Sequence, residues 1–514
     1  MTAPPTNMTT TSHSFVPRLE RNSILLEHAS TLASIDHLRN MAFPLPEKAA
    51  PVHALDKDLS AEIERLDAEM RRLHVLREEV QIQRSIGRSM FAPIRQVPAE
   101  VLSNILAILV LGEPAHEQAK AARAVASVCL FWRTTARDTR ALWTRVNYAT
   151  APTGTMEKLL DMHARLAGGL PLRICQEPGV YADAQLAEVM KQPSTRTAQW
   201  HGLSLHVNGE ASGATAPLDL TSLLHVNITI SSARADSLSF LANAPALRQV
   251  YVQFESPGMP LQLEMPAFPS LTSLTFVDHH GHCVEQFIPA LRTCAASLQR
   301  LTLSILDRAG DFTPSDMGPL VFPLLSEIVL QGDAYRILCY AKAPSLESIA
   351  FKHIHSRTSR PFVSLLRLLV SSTPPIRALA LTDVHGHDND ALVRCFGHLS
   401  GLESLHVEDT MAWCVMGHTV LWSMTICHSE RAPLLPALTT MHLQYQRPRM
   451  PICICKTARE MLASRATERV VAGCTVRALR DVETNLDEQM RVVDDWEIVM
   501  RDREHFNACF GLQS

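Results

Sequence analysis

The feature that most constrains this chain is a phrase that recurs through its second half. A proline or small residue is followed by leucine-x-x-leucine-x-apolar. The cleanest copy is Pro344-Ser345-Leu346-Glu347-Ser348-Ile349-Ala350-Phe351. Others have their first apolar residue at Leu247, Leu271, Leu298, Leu325, Ile376, Leu402 and Leu438, with weaker copies at 200–205 and 223–228. Apolar residues two apart suit a short strand that turns one face inward. Between the phrases lie helical pieces such as 284–294 and 361–370. One strand plus one helix cannot bury its own apolar face, so successive units must stack on each other.

Most spacings between phrases sit near the ~20–29-residue period of leucine-rich repeats. The fold class expected is therefore α + α/β: a small helical module followed by a degenerate leucine-rich-repeat-like α/β solenoid over 150–450. It is degenerate because the asparagine of the standard repeat is mostly missing. Residues 451–514 are expected to cap the open end, with a helix at 457–465, a strand at 476–482 and a polar helix at 484–502.

The helical module is expected over 90–148. Pro98 sits near the first turn of a helix, where its missing N–H costs nothing. From Val101 the apolar residues crowd: Val101, Leu102, Ile105, Leu106, Ile108, Leu109, Val110 and Leu111. A helix apolar on nearly all sides must bury one face in its own domain and another against something else. Gly112-Glu113-Pro114 ends it. A second helix is expected over 117–138, and Leu142-Trp143 closes the core.

Ahead of the module, residues 1–55 are low in aromatics and broken by prolines, and most of them are expected to be disordered, with a short helix somewhere in 18–39. Residues 56–88 read as an amphipathic, coiled-coil-like helix. Leu59, Ile63, Leu66, Met70, Leu73 and Val80 fall at alternating steps of four and three, with Arg77 interrupting. That stripe either packs on the chain's own next domain or self-associates through 59–83.

Val97-Pro98-x-Glu100-Val101-Leu102-x-x-Ile105-Leu106, followed by Val128-Cys129-x-x-Trp132-Arg133 and Leu142-Trp143, resembles an F-box. The whole chain is similar to the F-box-like proteins of mushroom-forming fungi (basidiomycetes), in which a heptad helix precedes the F-box and a leucine-rich-repeat-like region follows. Gly168-Gly169-Leu170-Pro171-Leu172 nearly matches an element that follows the F-box in that family, and Leu462-Ala463-Ser464-Arg465 matches a later one. Val97 stands where a leucine is usual, and Leu130-Phe131 where polar residues are common. The resemblance implies a substrate-recognition subunit of an SCF-type cullin-RING ubiquitin ligase. A Skp-type adaptor, and through it the cullin complex, would be met by Val97, Pro98, Glu100, Val101, Leu102, Ile105, Leu106, Val128, Cys129 and Trp132. The repeats would hold a protein substrate. The alternative is a non-catalytic scaffold without ligase coupling.

Other chemistry finds no foothold in the sequence. No P-loop, dinucleotide-binding glycine motif, nucleophile elbow or zincin pair is present, so no enzymatic activity and no cofactor are expected. Three histidine groupings, at His279-His280-x-His282-Cys283, His353-x-His355 and His385-x-His387-Asp388, are expected to be solvated loop residues and not metal ligands. Cys453-x-Cys455 lacks a second pair. A net charge of −4 gives no basic field for nucleic acid. The longest apolar run is far short of the ~18 residues a membrane span needs. Sparse, unpatterned cysteines and no signal-peptide pattern suggest an intracellular protein, cytoplasmic or nuclear.

Overall fold

Each leucine phrase becomes a strand in the computed structural model. Leu247 leads into Gln249–Phe254, Leu346 into Ser348–Ile354 and Leu438 into Thr440–Tyr445. The strand begins two residues after the first leucine, because that leucine and the two later apolar residues all turn inward. In the first copy these are Leu247, Val250 and Val252, all buried. The weaker copies are strands too, at Trp200–Val207 and His225–Ile230.

Together they form one parallel sheet of 13 strands, paired in chain order. In that order they are β1 (Arg145–Asn147), β2 (Leu172–Cys175), β3 (Trp200–Val207), β4 (His225–Ile230), β5 (Gln249–Phe254), β6 (Ser273–Asp278) and β7 (Arg300–Ile305). Then follow β8 (Glu327–Gly332), β9 (Ser348–Ile354), β10 (Ala378–Val384), β11 (Ser404–Asp409), β12 (Thr440–Tyr445) and β13 (Asp481–Thr484). The sheet thus runs wider than the 150–450 expected. β1 and β2 are only 3 and 4 residues long, too short for alternation to declare them. The final strand is Asp481–Thr484, whereas Cys474–Val476 folds back on Arg469–Val471 as an antiparallel pair.

Register is fixed by a device repeated at the strand starts. One backbone carbonyl accepts two N–H groups from the next unit: Leu224 O from Arg248 and Gln249, Arg248 O from Thr272 and Ser273, Thr272 O from Gln299 and Arg300. The pattern continues to Thr439 O, which takes Arg480 and Asp481. Two N–H groups on one carbonyl tie each start to its neighbour, and a one-residue slip would turn every buried side chain outward.

The core lies between the sheet and its connectors. Phe276 and Phe287 pack with ring centroids 5.4 Å apart, one on β6 and one in the connector that follows. Phe351 of β9 meets Phe362 of the helix Pro361–Ser372 edge-on at 6.2 Å.

At the strand ends polar side chains bond to the backbone, Asp278 and Asp409 buried and Asn485 half-buried. Asp278 accepts the N–H groups of His280 (3.2 Å) and His282 (2.9 Å) and the Nδ1–H of His282 (2.9 Å). Asp409 accepts Val415 N–H at 3.2 Å, and Asn485 pairs with both the N–H and the C=O of Tyr445. His282 is therefore not a solvated loop histidine. It is buried against Phe254, ring centroids 6.1 Å apart, because the Asp278 carboxylate needs its proton. His353 likewise reaches Asp383 at 3.1 Å. His385 and His387 lie outside the described residues, and among the described residues no three metal-ligating side chains converge.

The structure describes residues 16–39 and 46–486, apart from 115–116, 150, 153, 177–182, 192–196, 208–217, 232–234, 256–262, 264, 307–316, 356–358, 385–387, 410–414, 427–431 and 447–451. The expected terminal helix at 484–502 falls almost wholly outside them. Contacts divide the chain into a unit at Met1–Pro98 and a unit at Ala99–Ser514.

In the first unit the chain is helical at α1 (Val16–Leu32), α2 (Ile35–Arg39) and α3 (Pro46–Met90). Much of the stretch expected to be disordered is therefore helix, while residues 1–15 lie outside the description. The prolines misled because Pro17 and Pro46 fall at the starts of α1 and α3, and Pro51 sits near the beginning of α3, where it forfeits one hydrogen bond. α3 is 45 residues long, and its stripe at Ile63, Leu66, Met70, Leu73 and Val80 is exposed. Among the described residues no single helix is long and apolar enough to cross a membrane.

Candidate docking surface

The second unit opens with α4 (Ala99–Leu111), α5 (Gln118–Ser127), α6 (Leu130–Asp138), a turn at Arg140–Trp143 and then β1. The single second helix expected over 117–138 is broken at Val128-Cys129. Cys129 is extended (φ −159°, ψ 174°), and its sulfur accepts the N–H of Trp132 at 3.5 Å, capping α6. The break re-aims α6 against α4 and α5.

Trp143 closes the module. Its Nε1–H donates to Ala136 O at 2.7 Å, and its own carbonyl pairs with His163 Nδ1 at 2.9 Å. Burial holds the His163 imidazole below its usual range, with the Trp143 carbonyl pulling it up and Arg123 pushing it down. Gln118 Nε2–H donates to Leu111 O and Glu113 O, satisfying carbonyls at the end of α4 that have no partner within the helix. Ser103 and Thr139 share a hydrogen bond of 2.7 Å across the module.

These ties hold α4 by one face. Leu102, Leu106 and Val110, at steps of four, are sealed in the core with Ala122, Val125 and Leu142. The opposite face carries Val101, Ile105 and Ile108, at steps of four and three, flanked by Leu109 and Leu111. All five are exposed, Ile108 at 76%. A further apolar group stands at the α5–α6 break: Val128 at 60%, Leu130 at 75% and Phe131. The helix that had to bury two faces has buried one.

The residues matched to the adaptor surface thus divide. Val101, Ile105 and Val128 are exposed, and Glu100 is exposed in the first turn of α4. Cys129 and Trp132 are half-buried. Leu102 and Leu106 are core side chains that hold α4 to its own module. Val97, half-buried after the turn Pro93–Gln96, and Pro98, exposed, belong to the first unit. Reading by motif passed over Ile108, Leu109, Leu130 and Phe131. Their signal was present: each is apolar and lies off the Leu102–Leu106–Val110 stripe.

The outward face of the sheet is different in kind. Over β1 to β6 it presents Arg145, Arg173, Ser204, Asn227, Gln249, Tyr251 and Thr275 around a depression of about 520 Å³. His225 pairs with Gln249 at 3.0 Å, and the Tyr251 hydroxyl donates to Gln253 at 3.1 Å. Burial raises the Tyr251 phenol above its usual range. Further along, His406 of β11 and His442 of β12 stack at 4.1 Å with planes 14° apart, and Glu483 of β13 holds His442 at 2.8 Å. Burial, then the neighbouring His442, keeps His406 below its usual range.

No family model matches the chain, and no curated protein matches it.

Proposed function

We propose that this chain is an F-box protein of the kind its motifs resemble, a substrate-recognition subunit of an SCF-type cullin-RING ubiquitin ligase. In this reading α4 to α6 dock a Skp-type adaptor, and the parallel sheet is a degenerate leucine-rich-repeat solenoid whose outward face takes a protein substrate. The observation that carries the reading is the outer face of α4. Val101, Ile105 and Ile108 are aligned and exposed on a helix whose other face is fixed in a core. Exposed apolar area arranged this way is characteristic of a protein–protein contact.

Transfer chemistry would then occur on other subunits. The chain's contribution is proximity: holding a substrate beside a charged ubiquitin carrier raises the effective concentration of its lysines. The exposed stripe of α3 supports self-association of the chain, in either the ligase or the scaffold reading.

Co-purification with a Skp-type adaptor tests the assignment. The wild type should retain the adaptor, and Ile105→Asp/Ile108→Asp should lose it while melting like the wild type. No adaptor on the wild type, or equal amounts on both, would leave the scaffold reading in its place.

A further inference from the structure

A solvent-open depression of about 560 Å³ lies between α5, α6 and the helix Met156–Ala167 (α7), rimmed by exposed arginine side chains and lined by no residue of α4. Four arginines line it: Arg123 from α5, Arg133 and Arg137 one turn apart on α6, and Arg165 from α7. Three are tethered by the Nε–H group alone. Arg123 donates to Ala119 O at 3.2 Å, Arg133 to Ala126 O at 3.1 Å and Arg165 to Asp161 O at 3.3 Å. Those bonds fix the stems, and among the described residues the terminal nitrogens bond to nothing further. Among the described residues no carboxylate pairs with any of the four, although Lys120 of the same α5 has found Glu117.

Four like charges around one depression repel each other, and a chain with net charge −4 does not gather them by composition. An anion in the depression offsets that repulsion. The guanidinium fork matches phosphate oxygens two at a time. One phosphate occupies one or two such forks, so four call for more than one phosphate. The volume falls in the ~300–1,000 Å³ range of small-molecule sites. Buried Trp143 and half-buried Met162 give the depression an apolar wall against which an organic moiety can lie.

We propose that this depression binds a small oligophosphate anion, with the four guanidinia on the phosphates. The site does not depend on the ligase reading, and its test needs no adaptor. Calorimetric titration of the full chain should use pyrophosphate, ATP and adenosine. Pyrophosphate and ATP are expected to bind saturably and adenosine not at all, with affinity falling as salt rises. ATP binding tighter than pyrophosphate would bring in the Trp143–Met162 wall, and equal affinity would assign recognition to the phosphates; both support the site. Arg137→Ala, which removes no hydrogen bond of the fold, and Arg137→Lys, which keeps the charge without the fork, should weaken binding about tenfold and severalfold. Both should melt like the wild type. Failure of pyrophosphate and ATP to bind, or unchanged binding by both variants, would overturn the proposal. So would a phosphoserine peptide or single-stranded oligonucleotide that binds tighter than either.

Discussion

The outer face of α4 and the outward face of the sheet are both exposed, and they are built from opposite materials. On α4 the exposed residues are Val101, Ile105, Ile108, Leu109 and Leu111, with no hydrogen-bonding group among their side chains. On β1 to β6 they are arginine, serine, asparagine, histidine, glutamine, tyrosine and threonine, with Gln249 bonded to His225 and Tyr251 to Gln253. Apolar area gives affinity without much direction, which suits a partner that is the same every time. A field of oriented donors and acceptors discriminates, because a mismatched partner leaves buried polar groups unpaired. In the proposed reading, connection belongs to the helices and selection to the strands.

The sharpest break of that comparison would come from residues that share α4 but not its face. Leu106→Asp places an unpaired charge in the module core and should cost ~3–5 kcal/mol, read as loss of cooperative melting. Ile108→Asp, two residues on, should leave the melting curve in place. On the sheet, Leu346→Ala should cost ~2–5 kcal/mol by chemical denaturation, whereas exposed Glu347→Ala should hardly register. Equal, small effects at both positions would count against the repeating core.

A smaller effect is expected at Arg465. Its guanidinium is wholly buried and donates to the carbonyls of Met424, Leu435 and Leu434, with burial lowering its pKa to about 10. Arg465→Leu strands those carbonyls and should cost ~1–3 kcal/mol, with the loss seen first near the end of the sheet by hydrogen exchange. The smallest effect is a pH dependence of the helical module. Because the His163 pKa is lowered in the folded state, the unfolded chain takes up a proton first as pH falls below ~6.5. Stability should be complete above that pH and fall on acidification toward the lower folded value. His163→Gln should flatten this part of the stability–pH curve.

Much of the parallel sheet was legible because its signal is multiplied. A single Leu-x-x-Leu-x-apolar phrase is weak, but eight, each with its strand two residues on, leave little freedom. The ends of the sheet were less legible. β1 and β2 are held by neighbours more than by their own pattern, and Asp481–Thr484 is exposed along its length and alternates nothing. Nor could spacing reveal that Asp278 and His282 form a buried pair at a strand end, since the same residues would serve equally in a solvated loop. At the candidate surface the sequence showed that α4 must bury two faces but not which residues each face would take. Motif matching put Leu102 and Leu106 on the adaptor surface beside Ile105, whereas burial with Val125 and Leu142 claims them for the core, and Ile108, which the motif passed over, stands exposed with Ile105. The four arginines escaped notice because they come from three helices, and only the fold brings them to one depression.

The division of labour is tested most directly by titrating a purified Skp-type adaptor into the full chain at several temperatures. Three proteins suffice: the wild type, Ile105→Asp/Ile108→Asp and the sheet-face variant Tyr251→Ala. The account predicts binding by the wild type with a negative heat-capacity change, as apolar burial requires. It also predicts unchanged binding by Tyr251→Ala, and none by the double α4 variant. Adaptor binding that survives the α4 substitutions, or that Tyr251→Ala removes, would contradict it.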